Sequence, residues 1–311
     1  MDCRFNTEAH LESAVRTPGL CACTRHGRRL FTQALAGAAL ASALPGAGAQ
    51  TAAAEGVRPL VGSESRFARL VPAEQVEQAG TQQYLAMKRE AASQRALAPD
   101  DQPQLVRLRY IAQRIIPHAA GWNPRAAQWR WEVNLFGSRE LNAFCMPGGK
   151  IAFYYGILTK LQLSDNEVAM IMGHEMAHAL REHARERMGK AAATRLGAGV
   201  ISSLLGLGAA GDTLLNMGGQ LLTLKFSRED ESEADLVGLE LAARAGYDPR
   251  AGISLWNKML AASQGAPPQF LSTHPAGATR IRDIEATLPR VEPIYARASK
   301  PIQRYLPPAR A

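Results

Sequence analysis

The sequence predicts an α+β domain that is mainly helical and carries a small β-sheet. Apolar residues recur at helical spacing over several stretches beyond residue 70. One region, around residues 129–155, alternates instead, and proline- or glycine-bearing breaks separate the two patterns. The 311 residues are 46% hydrophobic and 21% charged, which suits one domain of moderate size or two small ones. The net charge is +8, but the basic residues are scattered and no nucleic-acid motif is present. A basic face toward anionic surfaces is expected, and nucleic acid is not an expected partner.

The first element has the pattern of a targeting segment. Arg25, Arg28 and Arg29 precede an uncharged run from Leu30 to Leu44, and Ala47-Gly48-Ala49 follows. The run is short for a membrane span. Arg28-Arg29-Leu30-Phe31 resembles a twin-arginine signal, and an ordinary secretory signal fits as well. Removal of residues 1–49 by cleavage before Gln50 is expected, which puts the working protein outside the cytoplasm. Cys3, Cys21 and Cys23 precede the cut, so Cys145 is left with no internal disulfide partner and is expected to be a small buried residue.

Residues 50–100 read as a linker followed by a helix over Pro72–Leu97, which Pro99 and Pro103 break. The main domain is expected over 101–290. Within it, Leu105, Leu108, Ile111, Ala112, Ile115 and Ile116 follow the helical period up to Pro117. Trp129, Trp131, Val133 and Leu135 then alternate with polar residues, the sign of a half-buried strand. Ile151, Phe153 and Tyr155 alternate again after a Pro147-Gly148-Gly149 turn. Ser164 and Glu167 form a capping box, with Leu163 and Val168 as a hydrophobic staple, so a helix should run from there to about Arg187. The Gly-, Ala- and Leu-rich stretch 189–223 predicts two loose helices or a flap. Further helices are expected over Ser227–Ala245, from Asp248-Pro249 to about Ser263, and up to Leu288. The proline-rich tail, 291–311, should be extended.

The chemistry centres on "GHEMAH". His174 and His178 are four residues apart, so one helix face presents both imidazoles with Cβ atoms about 5–6 Å apart. Two histidines so placed suit zinc, and Glu175 sits beside the metal position rather than on it, as a general base for water would. The apolar run before the motif argues against a solvated helix. The class of such a zincin site turns on the third ligand. A histidine six residues after the second would make it a metzincin, but Ala184 stands there and His183 is one residue early. An acid on another helix is therefore expected. In "SREDESEADLVGLELAARAG", Arg228, Glu231 and Asp235 share a face while Glu233 points away. Either carboxylate on that face suits zinc while the other accepts a proton from a ligating imidazole. A solvated acidic helix start accounts for the same charges.

Four ordered stretches, "NAFCMPGGKIAFYYGIL", "HEMAHALREH", "SREDESEADLVGLELAARAGYDP" and "STHPAGATRI", resemble the zinc metallopeptidases related to the CAAX prenyl protease, in their BepA/LoiP-like bacterial envelope branch. The resemblance covers roughly Leu105 to Leu288. It implies a zincin-like (gluzincin) catalytic domain with one Zn2+ per chain, held by His174, His178 and Glu231, with Asp235 behind a ligand and Glu175 as the base. His274, in the "HP" loop, has two implied roles: oxyanion stabiliser, or zinc ligand in a resting state. Gly148, Gly149, Lys150 and Ile151 are the expected edge strand for an extended peptide substrate, with a plain hairpin turn as the alternative. The implied activity is a periplasmic metalloendopeptidase degrading unfolded or misassembled envelope proteins, with peripheral association with the outer membrane or its assembly machinery. A latent protease acting mainly as a chaperone or scaffold is the alternative.

Overall fold

The computed structural model describes residues 56–196, 210–263, 269–274 and 278–309. The expected export signal and its cleavage point, and the middle of the glycine-rich stretch, lie outside the described residues. In chain order the elements are α1 (Ala73–Ser93), α2 (Pro103–Ile115), β1 (Glu132–Phe136), β2 (Ala143–Met146), β3 (Lys150–Tyr154), α3 (Tyr155–Leu161), α4 (Asp165–Leu180), α5 (His183–Leu196), α6 (Ala210–Thr223), α7 (Arg228–Arg244), α8 (Ala251–Ala262), α9 (Gln269–Thr273) and α10 (Ala278–Arg297). The mainly helical α+β expectation holds.

The sheet has strand order β1-β3-β2, with β1 parallel and β2 antiparallel to β3. Val133 and Cys145 both pair with Ile151 across it. The strand over 132–136 was expected to be half-buried, but Val133, Asn134, Leu135 and Phe136 are all buried. Both faces are covered. Tyr84 of α1 packs with Phe136, Met146 and Ala152, while Val133, Leu135, Cys145 and Ile151 join the main core. Buried Asn134 survives because its amide donates to the Tyr84 hydroxyl at 3.1 Å, which in turn donates to the Ile151 carbonyl at 2.5 Å.

Helix α4 runs through the middle of the domain. Every residue from Asp165 to Leu180 except Asn166 is buried, which explains why its sequence is apolar around the histidines rather than striped. Its start is anchored twice. Ser164 and Glu167 close the expected capping box, and fully buried Arg107 donates to Asp165 at 2.7 Å and to the Leu163 carbonyl at 2.7 Å. Glu167 also accepts from Lys258 and Ser254 of α8. Burial opposes ionisation of Glu167, but the bonds from Lys258, Ser164 and Ser254 win and hold its carboxyl below the ordinary value. Its stabilising share is therefore present above the unfolded carboxyl range, about 4.3, and disappears as pH falls through the lowered folded value. Glu167→Gln should cost on the order of 1 kcal/mol at pH 7. Urea unfolding should show the variant and the parent converging in acid.

The helix was expected to reach Arg187, but it stops at Leu180. Glu182 takes a left-handed conformation (φ 57°), and the chain turns back before α5 begins at His183. The last helix departs in the other direction. It was expected to end near Leu288 before an extended tail from 291, yet α10 continues through Pro289 and Pro293 to Arg297. Both prolines face solvent, where the carbonyls they leave unbonded meet water. Ile284, Thr287, Val291 and Ile294 meanwhile keep a buried stripe at helical spacing. From Ala298 to Ala309 the chain has no helix or strand, and the Tyr305 amide donates to Asp165 at 2.9 Å.

Helices α4 and α7 cross at a pair of glycines. A Cβ on Gly173 would lie 2.6 Å from the Gly238 carbonyl oxygen, and one on Gly238 would lie 2.7 Å from the His174 amide nitrogen. Only bare backbone fits there. This contact sets α7 close enough for the acids of its first turns to reach the histidines of α4.

Candidate metal centre

His174 and His178 project from the same face of α4, and their Nε2 atoms stand 3.1 Å apart. Glu231 enters from the first turn of α7, behind an N-terminus fixed by the Ser227–Asp230 capping box. Its two oxygens lie 3.5 Å from His174 Nε2 and 3.5 Å from His178 Nε2. His274, at the end of α9, brings Nδ1 to 3.3 Å from His174 Nε2 and 2.9 Å from Glu231. One atom from each of the four residues fits within 4.8 Å, and all four residues are buried. Phe226 stacks on His178 at 3.9 Å and Phe270 on His274 at 4.6 Å, which restricts both rings.

Proton placement tests whether a metal fits. Asp235 Oδ1 lies 3.1 Å from His174 Nδ1. A carboxylate only accepts, so Nδ1 carries the proton and the neutral ring turns a bare Nε2 toward the cluster. His178 Nδ1 faces His183 Nδ1 at 2.9 Å, and with the proton of that contact on His178 its Nε2 is bare as well. Two lone pairs 3.1 Å apart, with a carboxylate astride them, repel unless a cation lies between. Donors bound to zinc at 2.0–2.1 Å in tetrahedral geometry stand about 3.3–3.4 Å apart, the range seen here. The donor set therefore fits a single zinc ion.

The surrounding charges are consistent with that. Burial would raise the Glu231 carboxyl, but bonds from His174, His178 and His274 hold it far below the usual carboxylate range. Burial would lower His174, yet Asp235 and Glu231 outweigh it and raise the imidazole to about 9, so a proton takes the positive charge when no metal does. Burial drives His178 well below its ordinary value. Glu175, on the adjoining side of α4, is 2% exposed, and burial raises its carboxyl. Its Oε1 has no hydrogen-bond partner and lies 3.6 Å from His274 Nε2. An unpartnered buried carboxylate beside the donor set is where a water would be received.

The structure thus brings His174, His178, Glu231, Asp235, Glu175 and His274 into one site. It does not bring Arg228, which is exposed. The guanidinium that serves the acids is Arg280 of α10, which donates to both oxygens of Asp235 (2.6 and 2.7 Å) and to Glu231 (2.6 Å) and lies over the Trp256 ring at 3.6 Å. Arg280 stands within the "STHPAGATRI" stretch, but nothing in its spacing ties it to acids 45 and 49 residues earlier. Glu233, on the other side of α7, meets Arg181 and His183.

The expected substrate edge is corrected. Lys150 and Ile151 lie in β3, the central strand, whose backbone is paired on both sides. Gly148 and Gly149 form the turn between β2 and β3 with φ of 87° and 78°, and a Cβ on Gly149 would strike the Trp131 ring at 2.8 Å. These glycines serve the turn and its packing. β1 and β2 are the outer strands; β1 carries an isolated bridge from Leu97 to Phe136, and the outer edge of β2 is unpaired among the described residues. Asn142 to Pro147 line a cleft together with Glu175, His178 and His274. Cys145, also in that wall, is buried as expected, and burial pushes its thiol up.

The sequence profile described as "Peptidase family M48" matches residues 106–288. The chain is 39% identical over 152 residues to "Mitochondrial metalloendopeptidase OMA1" of Arabidopsis thaliana, covering 49% of this chain and 30% of that protein. It is 30% identical over 216 residues to the Saccharomyces cerevisiae protein of the same name, covering 65% and 61%. It is 27% identical over 204 residues to the Escherichia coli "Beta-barrel assembly-enhancing protease", covering 61% and 40%. The matched region therefore spans less than two thirds of each of these relatives.

Proposed function

Because the chain belongs to Peptidase family M48, we propose that it is a zinc-dependent metalloendopeptidase. The observation that carries this reading is the convergence of two imidazole nitrogens and one carboxylate beside a buried glutamate whose Oε1 has no hydrogen-bond partner. His174, His178 and Glu231 hold the metal, one zinc per chain. A zinc ion so held supplies Lewis acidity, which acidifies water and polarises a carbonyl oxygen. Glu175 takes the proton of the attacking water and passes it to the leaving amine nitrogen. Asp235 keeps the His174 proton on Nδ1, and Arg280 keeps Asp235 and Glu231 in place. His274 serves as a resting ligand, a role that its 2.9 and 3.3 Å separations from the other donors support over an oxyanion role.

An extended peptide pairs along β2, with its scissile bond at the cleft between that strand and α4. Unfolded or misassembled envelope proteins are the proposed substrates, and the periplasm the proposed compartment. The basic, apolar and small-residue pattern before Gln50 and the name of the Escherichia coli relative support that placement. The plant and yeast relatives carry a mitochondrial name instead. No described helix is long and apolar enough to cross a membrane. Peripheral association with the outer membrane or its assembly machinery is part of the proposal. A latent, client-holding role is the second reading, favoured by His274 standing within the donor set.

Metal analysis of the purified chain tests the assignment. The parent should carry one zinc, and Glu231→Ala should lose it on dialysis against a chelator, since only neutral imidazoles remain and no carboxylate offsets the charge of the ion. Full retention in the variant would place the third ligand elsewhere.

A further inference from the structure

We propose that His183 is a positioning residue for the metal centre, acting through His178 and itself held by Glu233. The inference rests on the zinc reading above and concerns a residue whose sequence position suggested only a structural part. On a continuous helix, His183 would lie about 140° round from His178. The left-handed Glu182 ends α4 and folds His183 back, so that its ring is 1% exposed and its Nδ1 lies 2.9 Å from His178 Nδ1.

Two facing ring nitrogens need one proton between them, and the next residue in the chain of contacts decides whose it is. His183 Nε2 lies 3.4 Å from Glu233 Oε2. A carboxylate accepts and does not donate, so the His183 proton sits on Nε2 and its Nδ1 is bare. His178 must then donate from Nδ1, which leaves His178 Nε2 bare and aimed at His174 and Glu231. The opposite tautomer of His178 would point an N–H at the donor set and remove one ligand. Glu233 is fixed in turn by Arg181, which also donates to the Gly62 carbonyl at 2.6 Å. Each ligating imidazole thus has its own acceptor behind it: Asp235 directly for His174, and Glu233 through an interposed imidazole for His178.

Zinc affinity, measured by competition with a chromophoric chelator, tests this in three variants. His183→Leu keeps bulk but offers no acceptor, and should weaken binding about 10- to 100-fold. His183→Asn places an amide oxygen where Nδ1 was and should recover most of the loss. Glu233→Gln can donate to His183 Nε2 and reverse the proton order, so it should weaken binding without emptying the site of a side chain. It also serves if the leucine variant does not fold. The cobalt-loaded His183→Leu protein should show a visible spectrum altered from the parent, and the asparagine variant one restored toward it. An unchanged affinity in His183→Leu, or an asparagine variant as weak as the leucine one with both melting lower without metal, would overturn the role and reduce His183 to packing. A parent chain that binds no zinc would overturn this inference and the zinc reading together.

Discussion

Glu175→Gln should slow peptide-bond cleavage by about 10²- to 10⁴-fold while leaving the zinc content unchanged. Glutamine has the shape of glutamate, and position 175 is buried, so the packing of α4 is preserved. What is lost is the ability to accept a proton. General-base removal costs about 10²- to 10⁴-fold in rate, roughly 3–5 kcal/mol of barrier. Burial raises the Glu175 carboxyl, which makes it a stronger base than a solvated glutamate. Casein digestion by the parent and the variant, each with its metal measured, checks the result. If the variant digests casein as the parent does, the base is elsewhere. If both proteins clear an aggregated client equally, the client-holding reading gains and the hydrolytic one fails.

Arg280→Met should destabilise the metal-free protein by about 3–5 kcal/mol, the cost of breaking a buried ion pair from one side. The guanidinium is 4% exposed and bonds to Asp235 and Glu231, themselves buried. Methionine fills much of the space but leaves two carboxylates without their cation. Zinc loading should shrink the deficit, because the ion takes up the Glu231 charge while Asp235 still holds the His174 proton. Denaturant unfolding with and without zinc reads both numbers. Equal deficits in the two states would mean that Arg280 acts through packing against Trp256 and not through charge.

Local features explain which of these residues could be read from the chain. His174, Glu175 and His178 are legible because four-residue spacing on a helix fixes their mutual geometry whatever surrounds them. The capping box at Ser164 and the helix over 103–115 are legible for the same reason. Glu231 and Asp235 were restricted to one helix face by spacing, and only the resemblance to known peptidases divided the roles between them. The end of α4 at Leu180 is not legible, because the turn that follows depends on a single left-handed residue, Glu182, that no spacing marks. Arg280 depends on how α10 packs against α7, which no local pattern encodes. The edge-strand error has a similar origin: β2 and β3 alternate alike, and strand order is set by β1 joining the far side of β3. The prolines of α10 misled because a rule about hydrogen bonds was applied where solvent supplies them.

The bare-backbone crossing of Gly173 and Gly238 sits one residue from His174 and three from Asp235. That location makes it a calliper for ion size. The jaws close to main-chain contact just where the donors meet, which keeps donor spacings near 3.1–3.5 Å. Short zinc–nitrogen bonds of about 2.0–2.1 Å suit such a gap, whereas a calcium shell with bonds of about 2.3–2.6 Å calls for a wider one. A methyl group at either glycine would wedge the jaws open toward the larger ion. The spacing of the proposed ligands is thus set partly by two positions that bear no side chain at all.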